Sequence, residues 1–86
     1  MNSPTASVLL ADLPRARTGT VTSIDWHLLA TSEARRLREF GLDEGVEVEL
    51  LAPSGILGGP LAARIGRMTV ALRRHVADAI HVAQAA

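Results

Sequence analysis

Ile65-Gly-Arg-Met-Thr-Val-Ala-Leu-Arg-Arg-His-Val-Ala-Asp-Ala-Ile-His-Val82 is the stretch that decides the fold. Gly66-Arg67 matches a type II′ turn, which wants glycine at its first central position. The turn joins Leu61–Ile65 to Met68–Leu72 as a hairpin. Met68, Val70 and Leu72 alternate onto one face, and Ala71 leaves room for another element on the opposite face. Arg74 to Ala79 is short and helix-compatible, and Ile80 to Val82 reads as a closing strand. So many short elements in so few residues exclude a long buried helix and point to a small, tightly coiled β-barrel.

Working outward, Gly55 to Pro60 holds three glycines and a proline and reads as a loop. Before it, Val46, Val48 and Leu50 alternate with Glu47, Glu49 and Leu51, a strand with one apolar face. The clearest helix spans about residues 32–40. Thr31 or Ser32 is suited to cap it. Glu33 in the first turn and Arg35, Arg36 and Arg38 further on complement the helix dipole. Ala34, Leu37 and Phe40 form an apolar stripe. Gly41 then supplies a left-handed stop, with Leu42 folding back on Leu37. Upstream, Arg17 to Ile24 is rich in β-branched residues and predicts a strand. Val8 to Leu10 suits a short edge strand, and Leu13-Pro14 an anchor and a turn. Residues 1–7 form a loose tail and 84–86 fray, leaving one domain over 8–83. The layout is mainly β: an SH3-like barrel of about five strands, one inserted helix and a helical turn near 74–79.

Composition narrows the function. A chain of 86 residues buries only about 60% of the surface its unfolded form exposes, so a deep enclosed site is not expected. Basic and acidic residues are balanced at 9 each, without the basic excess that nucleic-acid binding draws on. No cysteine is present, which excludes disulfides, thiolate zinc sites and thiol catalysis. No secretory signal or membrane-spanning apolar run occurs, so the expected location is the cytoplasm. With no lysine there is no phosphate-cradling Gly-Lys-Ser/Thr loop, and no nucleophile–base–orienter set suggests itself. The chain is not expected to be an enzyme.

Ala34-Arg-Arg-Leu-Arg-Glu-Phe-Gly-Leu-Asp-Glu-Gly-Val-Glu-Val48 resembles the signature of the FeoA family, a helix of the form xxRLxxLGLxxGxxV running into a strand. Arg36-Leu37, Phe40-Gly41-Leu42, Gly45 and Val48 occupy the pattern, with Phe40 in place of the usual Leu or Met. Gly66-Arg-Met-Thr-Val-Ala-Leu-Arg73, with Ala77, Ile80 and Val82, resembles the family's closing pattern, and the likeness spans residues 8 to 83. It implies a cytoplasmic accessory or regulatory protein of bacterial ferrous iron uptake, partnered with the GTPase-bearing cytoplasmic region of a FeoB-type transporter. The same fold resembles the C-terminal domain of iron-dependent repressors, whose DNA-binding domain has no room here. That likeness implies an alternative role, a metal-responsive sensor for Fe2+, Zn2+ or Mn2+.

His27, His75 and His81 are the strongest metal ligands the chain offers. His75 and Asp78, three apart on a helical turn, are placed to face one way, and His81 is a third donor for a weakly bound divalent ion. Scattered histidines of this kind are more often surface residues, and no cofactor is required. Arg35, Arg36 and Arg38, joined by Arg73 and Arg74, offer a docking patch for an acidic surface; the plainer reading is a solvated helix face. Ile56 and Leu57 in the glycine loop, and the lone Trp26, are further partner-binding candidates. One Trp, one Phe and no Tyr speak against proline-rich peptides and single-stranded nucleic acid. Neither nucleic acid nor membrane insertion is expected, and a homodimer is compatible with the sequence.

Overall fold

The computed structural model describes residues 7–54 and 59–84. Six strands form one antiparallel sheet: β1 (Ser7–Leu9), β2 (Thr18–Ile24), β3 (Glu47–Ala52), β4 (Leu61–Ile65), β5 (Met68–Leu72) and β6 (Ile80–Gln84). Two helices interrupt them, α1 (Thr31–Glu39) and α2 (Arg74–Ala77), with short 3-10 turns at Leu10–Asp12 and Trp26–Leu28. The order across the sheet is β1-β6-β2-β3-β4-β5. The expected edge strand at Val8–Leu10 forms one residue earlier, at Ser7–Leu9, and pairs with β6, with Val8 opposite Val82. Strand pairing thus takes in Ser7 and Gln84, one residue beyond each end of the expected 8–83 domain. Among the described residues the barrel is not closed by pairing: β1 and β5 end the sheet.

Alternation sets the core. Val48 and Leu50 of β3, Leu61, Ala63 and Ile65 of β4, Val70 and Leu72 of β5, and Ile80 and Val82 of β6 all point inward and are buried. Met68 departs from the expected apolar face: beside the hairpin turn it is 46% exposed. The turn itself is as read. Gly66 has φ +59 while Arg67 keeps a negative φ, the pairing of signs that defines type II′. In β2 the inward residues are Gly19, Val21 and Ile24, a spacing that breaks strict alternation. A bulge against β6 between Val21 and Ser23 absorbs one residue and returns Ile24 to the core. Gly19 sits so close to β6 that a Cβ there would lie 2.2 Å from Cγ1 of Val82.

The helix α1 starts one residue earlier than expected. Thr31 is its first helical residue, and Ala30 occupies the capping position. Ala30 has no side-chain acceptor, so neither Thr31 nor Ser32 acts as the cap. Instead the Glu33 carboxylate reaches back and accepts the Ala30 N–H at 2.9 Å, half of a capping box. The far end is the anticipated stop. Gly41 has φ +83, its N–H donates to the Arg38 carbonyl at 2.9 Å, and the Leu42 N–H donates to the Leu37 carbonyl at 3.0 Å. These two bonds form a Schellman motif, and Leu37 and Leu42 are both buried in the same core.

Candidate functional site

A groove of about 660 Å3 lies between α1 and the β5–α2 corner. Leu37 of α1 and Phe40, just past its end, face Leu72 and Val76 across it. Glu33, Arg36 and Arg73 supply its charge. Leu37 is buried and Phe40 half-buried, so Phe40 is the apolar side chain that the stripe of α1 leaves partly open. The Arg36 guanidinium lies 5.6 Å from the centroid of the Phe40 ring. This places a cation against its π face at one wall of the groove.

The three helix arginines do not form one patch. Residues 36 and 38 are two apart, so an α-helix points them roughly 160° away from each other. Arg36 turns to Phe40 and the groove, whereas Arg38 lies 4.3 Å from the ring centroid of half-buried Trp26. Arg38 and Trp26, with Asp43, border a second, shallower hollow of about 320 Å3 beside the Gly41 stop. Arg35 is exposed. Of the two additional arginines considered, Arg73 does join Arg36 at the groove. Leu28, 60% exposed in the 3-10 turn after Trp26, is an apolar surface residue that sequence reasoning did not single out. Ile56 and Leu57 lie outside the described residues.

Two of the three histidines, His75 and His81, are held by carboxylates from distant parts of the chain. His75 Nε2 lies 2.5 Å from Oε2 of Glu33, tying α2 to α1 at the rim of the groove. His81 Nε2 lies 2.7 Å from Oδ2 of Asp25, tying β6 to the end of β2. The Ala30 N–H, followed by His75, holds the Glu33 carboxyl below its usual value. His75, Asp78 and His81 therefore do not converge: among the described residues no group of three or more His, Asp or Glu side chains is arranged to hold a metal. His75 and His81 each have instead a single carboxylate partner, and neither carboxylate is signalled by local spacing. On the outer sheet face, Arg64 bonds Glu49 at 2.8 Å and lies 3.6 Å from Glu47.

The model of the FeoA domain family matches residues 8–84. The chain belongs to the FeoA family. This family is associated with ferrous iron transport. FeoA of Stenotrophomonas maltophilia, solved in complex with zinc, is 33% identical with a TM-score of 0.74, covering 93% of this chain and 95% of that one. That protein is described as a procaryotic SH3 domain protein and a proposed activating factor of bacterial ferrous iron transport. FeoA of Chlorobium tepidum is 28% identical with a TM-score of 0.76, covering 92% of this chain and 71% of that one. A manganese-dependent transcriptional repressor shares the fold at 23% identity and a TM-score of 0.80; the match covers 96% of this chain but only 44% of the repressor. No curated protein sequence matches. The SH3-like fold expected from the sequence is thereby shown, and no helix among the described residues is long and apolar enough to cross a membrane.

Proposed function

We propose that this FeoA-family chain is an accessory or regulatory protein that docks on the cytoplasmic, GTPase-bearing region of a FeoB-type ferrous iron transporter. The observation that carries this reading is the family match over nearly the whole chain. The geometry supports it: side chains fill the barrel interior, and a groove of about 660 Å3 lies on the outside, beside α1. A surface of this kind binds a macromolecule and leaves GTP turnover to the partner. The chain works in the cytoplasm, without a cofactor of its own. Mixing the purified chain with the transporter's cytoplasmic region should give a saturable complex or altered GTP turnover. Absence of both, with normal ferrous uptake in a strain lacking the chain, overturns the proposal.

A second reading, a metal-responsive sensor, draws on the two imidazole–carboxylate pairs, each of which offers two donors of a kind zinc accepts. Titration with zinc or ferrous iron separates the readings. Micromolar binding lost in His75→Ala supports sensing, and no binding removes it.

A further inference from the structure

We infer that the free edge of β5, beside the groove, takes up an extended acidic segment of the partner as an additional strand. The inference rests on the docking role proposed above and names its surface.

Hairpin register fixes which backbone groups are free. Ile65 and Met68 flank the two-residue turn and face each other, so this pair exchanges both hydrogen bonds. Alternation then turns the backbone of Val70 and Leu72 toward β4, and turns the N–H and C=O of Thr69 and Ala71 away from it. β5 ends the sheet, and among the described residues no backbone group bonds those of Thr69 and Ala71. Both residues are exposed. Ala71, which borders the groove, carries only a methyl group and so lets another backbone come close. The opposite edge is less suited: β1 has three residues against the five of β5. Short edges are one of the ways in which sheets avoid added strands.

Charge selects the occupant. Arg67 and Arg73 bracket β5, and Arg36 stands across the groove from Arg73. None of the three has a carboxylate within ion-pair distance among the described residues. Glu33, the acidic group of the groove, is already engaged by the Ala30 N–H and His75. Carboxylates on an incoming strand would meet these guanidiniums, while its apolar side chains would cover Phe40 and Leu72. The same charges disfavour a second copy of this chain. Antiparallel pairing of two β5 edges, with Thr69 opposite Ala71, sets Arg67 of each copy opposite Arg73 of the other. Like charges directly opposite each other destabilise a strand pair. Strand addition gives affinity through the main chain and specificity through side-chain pockets, the two elements present here.

Amide hydrogen exchange on the full chain, with and without the transporter's cytoplasmic region, tests this. Thr69 and Ala71 should gain at least about tenfold protection in the complex, with no gain along β1. Ala71→Pro removes an edge N–H that β4 does not use, and should weaken binding about tenfold. Arg36→Glu with Arg73→Glu, both on exposed side chains, should weaken it by at least as much while leaving the melting temperature in place. A complex that forms with unchanged exchange at Thr69 and Ala71, and binds the double arginine variant as well as the wild type, overturns this inference and leaves the docking role standing. Failure of any complex to form overturns both. Protection of Thr69 and Ala71 on concentrating the chain alone assigns the edge to a second copy and overturns the choice of occupant.

Discussion

Gly19 and Gly41 are both glycines beside the core, yet opposite constraints hold them. At Gly41 the space is empty: an added Cβ would meet nothing within 4 Å, and only the positive φ excludes other residues. At Gly19 the backbone is ordinary and the space is full, with Val82 at 2.2 Å and the Ala83 carbonyl oxygen at 3.1 Å from an added Cβ. One glycine serves a turn, the other the contact between two strands far apart in sequence. The first leaves a signature in the local pattern and the second leaves none, because its neighbour is 63 positions away (residue 82 minus residue 19).

Five measurements sharpen this contrast. The largest effect is expected at the crowded position. Gly19→Ala should destabilise by about 1–3 kcal/mol in denaturant unfolding, because Val82 is wholly buried and cannot swing away. Combining it with Val82→Ala should recover part of the loss relative to the sum of the two single changes, as neighbours sharing one clash are not additive. Gly41→Ala should cost about 1 kcal/mol, from backbone strain alone, with no recovery from any neighbouring truncation. If Gly19→Ala proves as mild as Gly41→Ala, the close approach of β2 to β6 is wrong.

Ala16 turns the comparison around. It has φ +65 without being glycine, at the third position of the turn closed by the Arg17 N–H donating to the Pro14 carbonyl at 3.1 Å. A type II turn wants glycine there. Ala16→Gly should therefore raise the thermal midpoint, by about 0.5–1 kcal/mol in stability, relief of strain outweighing the added freedom of the unfolded chain. The smallest effect belongs to the polar clip at the groove rim. The Glu33 carboxyl is lowered in the folded state, so its contribution is present above the usual carboxylate value of 4.5 and is lost as pH falls below it. Thermal melts of the wild type and Glu33→Gln should differ at neutral pH and converge in acid; parallel profiles would exclude a stabilising clip.

Much of the fold is legible because its signals are local. Alternation at Val48 and Leu50, the hairpin of Leu61–Ile65 with Met68–Leu72, the Gly66 turn and the Leu37–Leu42 stop each need only a few neighbouring residues and are found as read, although β3 begins at Glu47 rather than Val46. The helix cap was misplaced because Thr31 and Ser32 have better capping side chains than Ala30, while the bond made by Glu33 outweighs that preference. The bulge in β2 escaped because Thr22 and Ser23 suit either register until β6 is in place. The candidate site was less legible still. Reading His75 with Asp78 used spacing on one short helix, but the partners are Glu33, 42 positions away, and, for His81, Asp25, 56 positions away. Closeness in sequence suggests one patch for the helix arginines, whereas helical geometry sends Arg36 and Arg38 to different aromatic rings.

The placement of β6 between β1 and β2 also governs how the molecule comes into being. Ile80 and Val82, both wholly buried, sit at the seam between the two earliest strands. Neither β1 nor the β6-facing edge of β2 finds a partner until synthesis has passed residue 84. The hairpin β4–β5 can assemble early, but the seam closes last, across nearly the entire length of the polypeptide. Such non-local closure favours folding on the order of milliseconds to seconds rather than microseconds. A chain halted before Ile80 would leave β1 and the β6-facing edge of β2 unpaired in addition to the free edge of β5, which invites aggregation.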